Sequence, residues 1–202
     1  KDVSTQTVSS MGMAVVAKLF RAVSIDALLT VDLHNLQSKR FFQVPIFNID
    51  AQSLFIRHIQ KHPELAVVFP DKGSYDRNQA FASCLSVDVI VLSKQRMKAN
   101  TCEISICLGD IAGKDCVVID DIVDTAETLC QTIDILHRLE AKSIQAVVTH
   151  ALLSGDALQK ISTRPIDRLF ISNTISQISL PEFIRVVDVS PCLFKTLQHL
   201  IA

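Results

Sequence analysis

The stretch VVIDDIVDTAETL at residues 117–129 decides the fold of this chain. Its apolar run stops at two carboxylates, Asp120 and Asp121, and Asp124 follows before a segment with helical spacing begins. In α/β proteins, ligands bind where the carboxyl end of a strand meets the start of the next helix. The unpaired N–H groups of a helix start bind phosphate, and nearby carboxylates suit ribose hydroxyls or hydrated magnesium. The stretch therefore predicts a sugar-phosphate site at a strand end.

Composition narrows the class of protein. The chain has 202 residues, of which 49% are hydrophobic and only 5% aromatic, which favours an aliphatic α/β core over a β-sandwich. Its 20 Lys and Arg nearly balance its 21 Asp and Glu, so we expect no nucleic-acid partner. The apolar stretches are strand-length and interrupted by charge, and the first ten residues contain no apolar signal-peptide region. We therefore expect neither a membrane span nor a secretion signal.

The six cysteines form neither a CxxC pair nor a His/Cys zinc pattern. Four of them lie within apolar or periodic stretches: Cys84, Cys107, Cys116 and Cys130. This usage predicts reduced thiols that serve as small core residues in a cytoplasmic protein, with a redox role as the alternative.

Strand-like and helix-like segments alternate along the chain. Strands are predicted at residues 27–32, 41–45, 66–69, 88–92, 103–108, 116–119, 143–149, 169–172 and 184–187. Helices are predicted at 11–23, 51–60, 78–85, 126–139, 157–161 and 191–201. Repeated β-then-α order with near-continuous apolar strands predicts an α/β fold with a mostly parallel sheet flanked by helices. The absence of GxGxxG and Walker A motifs argues against a dinucleotide fold or a P-loop kinase.

Polar side chains follow four of the predicted strands. The four groups are Asp32 with His34, Asp71 with Gly73 and Arg77, Lys94 with Arg96, and Asp120 with Asp121 and Asp124. One such ending is commonplace, because every strand must stop somewhere. Four of them on carboxyl ends indicate one composite site for anions and a metal ion.

Several motifs carry a family resemblance along nearly the whole chain. They are DLH at 32–34 with Gln37, FF at 41–42, PDxG at 70–73, KxRxKAN at 94–100, GD at 109–110, DDxxDTxxT at 120–128, TH at 149–150, SG at 154–155 and NTI at 173–175. The chain resembles the ribose-phosphate pyrophosphokinases, or PRPP synthetases, within the type I phosphoribosyltransferase fold. DDxxDT alone would also fit nucleotide-salvage phosphoribosyltransferases, whereas KxRxKAN and DLHxxQ are more specific to the synthetases.

The resemblance implies an activity and its partners. The implied reaction moves the pyrophosphoryl group of ATP to the 1-hydroxyl of ribose 5-phosphate, giving PRPP and AMP for nucleotide biosynthesis. It also implies Mg²⁺ as the cofactor and a cytoplasmic homo-oligomer. Two alternatives remain: a non-catalytic regulatory homologue and, with less support, a phosphoribosyltransferase that consumes PRPP.

The resemblance also assigns candidate site residues. Lys94 and Arg96 are implied as catalytic, His34 as an ATP ligand, and His34 and Asp71 as metal ligands. The implied ribose 5-phosphate site comprises Arg96, Asp120, Asp121, Asp124, Thr125, Ala126, Glu127 and Thr128. Read from spacing alone, Asp71 would also fit a turn after Pro70, and a lone histidine after a strand is usually structural.

Two departures from the family pattern fall inside the implied site. Glu127 stands where the family usually has glycine, so its carboxylate would repel a bound phosphate unless it points away or meets a cation. Ser74, Tyr75 and Asp76 replace the small residues that usually follow PDxG.

The resemblance divides the chain into parts. We expect residues 1–50 to be the remainder of an N-terminal phosphoribosyltransferase-like domain, 51–189 a complete second domain with the ribose 5-phosphate site, and 190–202 a C-terminal helix. The first residue is Lys1, which suggests a chain that begins partway through a longer protein. If these residues were the whole molecule, we would expect poor ATP binding and exposed apolar surface.

Overall fold

The structure is a computed structural model that describes the backbone of residues 3–96 and 102–201 and the side chains of 12–92 and 109–200. Two compact units are present: unit 1 comprises residues 1–50 with 190–202, and unit 2 comprises 51–189. None of the helices in the described part of the chain has the length and apolar character that crossing a bilayer requires.

Unit 1 consists of two helices and a pair of short parallel strands. Its elements are α1 (Val3–Ala22), β1 (Leu28–Val31), a 3-10 turn (Leu36–Phe41), β2 (Ile46–Ile49) and α6 (Ser190–Ile201). The strand predicted at 41–45 is wrong, because the 3-10 turn occupies its start and the strand follows it. Among the side chains described in unit 1, only Ala17 and Ile49 are buried, while Leu19, Val23 and Phe194 are largely exposed.

Unit 2 contains one seven-stranded sheet. Its strands are β3 (Leu65–Phe69), β4 (Asp88–Arg96), β5 (Cys102–Leu108), β6 (Asp115–Val123), β7 (Ser143–Ala151), β8 (Arg168–Ser172) and β9 (Ile184–Val187). Its helices are α2 (Gln52–Phe55), extended by a 3-10 turn (Ile56–His58), α3 (Lys72–Leu85), α4 (Glu127–Arg138) and α5 (Ala157–Ser162).

The strand order is β5-β4-β3-β6-β7-β8-β9, and every neighbouring pair is parallel except β4 with β5. The prediction of a mostly parallel sheet flanked by helices is confirmed. The chain moves outward from β3 through α3 to β4, and in the opposite direction from β6 through α4 to β7. Because such crossovers are right-handed, α3 and α4 cover opposite faces of the sheet. The point where the strand order reverses lies between β3 and β6.

The core of unit 2 explains why these two strands are central. Every residue of β3 is buried, and β6 is buried from Cys116 to Ile119, as expected of strands covered on both faces. On α4, Leu129, Ile133 and Leu136 are buried at the spacing of one helix face.

The end of β6 differs from the sequence prediction. The strand does not stop at Ile119 but continues through Asp120 and Asp121 to Val123. It continues because strand β7 still pairs with it, Asp120 opposite Val148 and Ile122 opposite His150. The two carboxylates therefore stand on the sheet itself and not in a loop after it.

The cysteine prediction holds for two of its four residues. Cys116 and Cys130 are buried, and burial raises the pKa of both thiols, that of Cys116 to about 12. Cys84 is exposed on α3, so its assignment to the core is wrong. The side chain of Cys107 lies outside the described residues.

Candidate functional site

The crevice at the reversal point of the sheet receives the polar residues that follow β3 and end β6. Asp71 comes two residues after β3, and Asp120 and Asp121 lie in the last part of β6. In open α/β sheets this crevice is where ligands bind. The fold thus brings together two of the four polar groups identified in the sequence.

Asp71 forms the start of α3. Its Oδ1 accepts a hydrogen bond from the Ser74 N–H at 2.8 Å, so the residue is a helix N-cap. Such a cap is worth about 1 kcal/mol and explains why α3 begins at Lys72, six residues before the predicted start. Gly73 therefore lies in the first turn of a helix and not in a loop. The Asp71 side chain remains exposed.

The unusual residues after Gly73 have structural roles. Ser74 is fully buried, and its Oγ donates to the Ile119 carbonyl of β6 at 2.7 Å. Asn78 donates to Ser74 Oγ at 3.3 Å, and Gln52 Nε2 donates to Asn78 Oδ1. The Tyr75 ring meets the Phe69 ring edge to face at 5.4 Å between centroids. This departure from the family pattern thus fixes α3 against β6.

Arg77 joins α3 to the two carboxylates of β6. Its Nη2 lies 3.1 Å from Asp121 Oδ1 and 3.6 Å from Asp120 Oδ1. Sequence reasoning placed Arg77 in a polar cluster but assigned it no role. The sequence did contain a sign that a cation was needed here. Two adjacent carboxylates beside a buried strand require a counter-charge, because they lie in a low-dielectric setting.

Asp120 and Asp121 are kept in an electrostatically unfavourable setting. Asp121 is 3% exposed, and Asp120 accepts its N–H at 3.0 Å. Burial, together with the neighbouring Asp121 charge, raises the pKa of Asp120 to about 7, and Arg77 opposes that rise. A carboxylate pair that is costly to ionise is suited to a ligand that donates hydrogen bonds or brings positive charge.

The segment between β6 and α4 forms a turn that leads into the first N–H groups of α4. Ala126 adopts φ +61°, the left-handed region, and among the described residues no side chain caps α4. A non-glycine residue there costs on the order of 1 kcal/mol, and such strain is concentrated at functional sites. The loop after β7 holds the turn, because Ser154 N–H donates to the Asp124 carbonyl at 3.0 Å. The first N–H groups of α4 have no intrahelical acceptor and can bind an anion.

The side chains of this turn are mostly accessible. Asp124 and Thr125 are exposed and Thr128 is half-buried. Glu127 is 70% exposed, and its Oε1 lies 4.0 Å from Lys160 Nζ, which binds Asp156 more closely at 2.9 Å. Glu127 thus meets the condition set by the sequence analysis, since it is exposed and faces a cation.

The TH and NTI motifs meet at the carboxyl ends of β7 and β8. The hydroxyls of Ser172 and Thr174 both donate to the Thr149 carbonyl, at 2.6 and 3.1 Å. Thr174 Oγ1 also lies 3.0 Å from His150 Nδ1. These contacts give the two motifs a shared structural role beside β6.

Two further candidate residues, Lys94 and Arg96, belong to a strand of the same sheet. They belong to β4, opposite Ile104 and Cys102 of β5, so the strand extends past its predicted end at residue 92. Their side chains, and all of Lys98, lie outside the described residues.

His34 belongs to unit 1 and is exposed in the segment after β1. Asn48 shapes that segment, because its Oδ1 accepts from the Leu33 N–H and from the Thr30 hydroxyl, each at 3.0 Å.

A magnesium ion would have few protein ligands among the described residues. They contain no group of three or more His, Cys, Asp or Glu residues placed to hold a metal ion. Magnesium, however, binds through one or two carboxylates and completes its shell with water and substrate phosphates. The exposed Asp71 carboxylate suits an ion of that kind.

Comparisons with known proteins show what the chain is similar to. A family model described as "Phosphoribosyl synthetase-associated domain" matches residues 91–201. The ribose-phosphate pyrophosphokinase of Chromobacterium violaceum is 35% identical over 190 residues, 92% of this chain and 58% of the relative. That of Nitrosomonas europaea is 39% identical over 163 residues, 80% of this chain and 52% of the relative.

A solved structure gives the same result for the fold. The phosphoribosylpyrophosphate synthetase from Mycobacterium smegmatis superposes with a TM-score of 0.83 at 26% identity, over 94% of this chain and 63% of that one. The chain thus spans little more than half the length of the curated relatives named above.

Proposed function

The chain belongs to the phosphoribosyl synthetase family, and from that premise we propose that the complete protein is a ribose-phosphate pyrophosphokinase. It would transfer the β,γ-pyrophosphoryl group of ATP to ribose 5-phosphate, giving PRPP and AMP. The observation that carries this proposal is the crevice between β3 and β6, where paired carboxylates adjoin a helix start that none of the described side chains caps. A sugar phosphate needs that combination, because one end of it accepts hydrogen bonds and the other donates them.

In this proposal the turn before α4 binds the 5-phosphate. The backbone N–H groups of residues 124–128 donate to the phosphate, and the Thr125 and Thr128 hydroxyls add two donors. Asp120 and Asp121 accept hydrogen bonds from the 2- and 3-hydroxyls. Holding both ends of the sugar orients the 1-hydroxyl for attack on the β-phosphorus, and positioning of this kind supplies much of the catalysis in phosphoryl transfer.

The other half of the proposed site binds ATP. Lys94 and Arg96 are proposed to stabilise the charge that develops on the phosphates as the bond to AMP breaks, and Arg96 is also proposed as a ribose 5-phosphate ligand by the family resemblance. By the family resemblance, His34 would bind the ATP phosphates, and His34 and Asp71 would each be a ligand of Mg²⁺, which would neutralise phosphate charge when bound. A cytoplasmic homo-oligomer completes the proposal and rests on the family resemblance.

A regulatory homologue is the second candidate, and Glu127 is the residue that favours it. Its support is reduced because Glu127 faces Lys160 and is largely exposed. A phosphoribosyltransferase that consumes PRPP is less favoured, since KxRxKAN at 94–100 would have no role in it.

The test measures AMP release by the complete protein with ATP, ribose 5-phosphate and magnesium. Lys94→Ala should lower kcat by about 100- to 1000-fold, the typical loss when a donor to transition-state charge is removed. The matched control Lys61→Ala, an exposed lysine before β3, should keep wild-type turnover. Normal turnover in Lys94→Ala would refute the role of that lysine. Ribose 5-phosphate binding without any turnover by the wild type would favour the regulatory homologue.

A further inference from the structure

We infer that Arg77 is a positioning residue that favours the ionised form of Asp120 and Asp121 and holds both carboxylates toward the ribose hydroxyls. This inference rests on the proposed function, because it assigns a supporting residue to the two carboxylates of the same sugar site. The resemblance assigned no role to Arg77, and the assignment comes from the contacts of its guanidinium.

The first argument is the geometry of those contacts. Arg77 Nη2 lies within ion-pair distance of both carboxylates, 3.1 Å from Asp121 Oδ1 and 3.6 Å from Asp120 Oδ1. The other terminal nitrogen, Nη1, lies over the first turn of the same helix. A Cβ added at Gly73 would sit 3.1 Å from Nη1 and 3.2 Å from Asp71 Oδ1. Glycine at position 73 therefore leaves the room that the guanidinium occupies.

The second argument is charge. Two adjacent carboxylates near the carboxyl end of a buried strand repel each other, and the burial of Asp121 leaves little water to screen them. A guanidinium remains protonated throughout the physiological pH range. Arg77 counters the tendency of Asp120 to hold a proton, and only an ionised carboxylate offers all of its acceptor sites to hydroxyl donors.

The third argument is that the position of Arg77 is fixed before any ligand binds. Residues 74 and 78 flank it on α3, and both belong to the buried polar chain that ties the helix to the Ile119 carbonyl. The Asp71 cap fixes the start of the same helix. The helix cannot move relative to β6 without breaking buried hydrogen bonds, so the guanidinium is held in place.

The experiment compares Arg77→Met and Arg77→Lys in the complete protein. Arg77→Met should raise KM for ribose 5-phosphate by about 10- to 100-fold, the equivalent of one charged interaction, while KM for ATP changes less than about 3-fold. The acidic limb of kcat/KM for ribose 5-phosphate should move to higher pH, because the carboxylates lose their counter-charge. Arg77→Lys should restore part of the pH profile but not the KM, since a lysine keeps the charge and loses the planar fork.

The matched control is Arg138→Met, which removes an exposed arginine from the last turn of α4. It should leave both KM values and the pH profile as in the wild type. Equal changes in both KM values with an unmoved acidic limb would overturn the inference and leave Arg77 a purely structural residue. If Arg77→Met does not fold, the Arg77→Lys variant tests the inference through the same two measurements, the two KM values and the acidic limb of the pH profile.

Failure of the proposed function is separable from failure of this inference. If the wild-type protein releases no AMP, the proposed reaction is wrong. Ribose 5-phosphate binding, measured by calorimetry between pH 5 and 8, then tests Arg77 directly. Unchanged affinity and pH dependence in Arg77→Met would overturn the assignment, and weakened affinity with a shifted pH dependence would support it.

Discussion

The two ends of β6 carry aspartates in opposite electrostatic settings. Asp115, at the start of the strand, accepts from Ser143 Oγ at 2.5 Å and lies 3.0 Å from Lys142 Nζ and 3.5 Å from His62 Nε2. These partners, the Ser143 hydroxyl first, lower its pKa. Asp120, near the other end, has a pKa raised to about 7 by burial and by Asp121.

The difference lies in how many partners the fold supplies. At the amino end, one carboxylate has a hydroxyl, a lysine and a histidine. At the carboxyl end, Arg77 is shared between two carboxylates. Protein contacts satisfy the first group, whereas the second keeps acceptor capacity for a ligand. This is the usual conflict between stability and function, in which a site keeps charges that the fold alone would not favour.

The largest effect should come from making the same Asp→Asn substitution at each end of β6. Asp121→Asn should lower kcat/KM for ribose 5-phosphate by about 10- to 100-fold, because a charged hydrogen bond to a hydroxyl is worth about 1.5–3 kcal/mol. Asp115→Asn should keep kcat/KM and instead lower the free energy of unfolding by about 1–2 kcal/mol. Steady-state kinetics and urea unfolding measure the two quantities. A large activity loss in Asp115→Asn would remove the distinction between the ends.

The next effect concerns stability as a function of pH. Because the folded-state pKa of Asp120 exceeds its ordinary value of 3.8, the folded state binds this proton more tightly, and stability falls as pH rises from about 4 to 7. Asp115 has the opposite sign: its contribution is present above its ordinary pKa and is lost as pH falls through the lowered value.

Replacing Asp120 isolates its contribution to the free energy of unfolding. Asp120→Asn should become more stable relative to the wild type by on the order of 1–3 kcal/mol between pH 4 and 7. Urea midpoints at several pH values measure the difference, and because both proteins contain His62, its titration largely cancels. Parallel curves for the two proteins would show that burial of Asp120 carries no penalty.

The smallest effect should come from Glu127, an exposed carboxylate at the same edge of the sheet. Glu127→Gln should tighten ribose 5-phosphate binding by about 2- to 3-fold, and Lys160→Met should weaken it by a similar factor, because exposed charges are well screened. The double variant should return close to wild-type affinity. Calorimetry at low and high salt checks this, and a salt-independent change would argue against an electrostatic cause.

Much of the fold followed from local patterns. The buried strand at 66–69 and the strand at 184–187 were predicted within one residue, because uninterrupted aliphatic runs bounded by turns have few other solutions. The errors fell where tertiary contacts override local signals. Strand β6 extends past its charged residues because β7 pairs with it, and α3 starts early because Asp71 caps it.

The site divides in the same way. The sequence located the carboxylates of 120–124 and the helix start after them, since residue type and spacing are local properties. Arg77 was noted but given no role, because its partners are more than forty residues away in the chain and meet it only when α3 packs against β6.

The sequence by itself determined the fold class, the family and the residues that carry charge at the strand ends. Only the tertiary structure decided that β6 carries Asp120 and Asp121 on the sheet, that Arg77 is their shared counter-charge, and that Glu127 faces Lys160. The physical reason is that secondary structure depends mainly on neighbours in the chain. Burial and charge pairing depend on distances between residues that are remote in sequence.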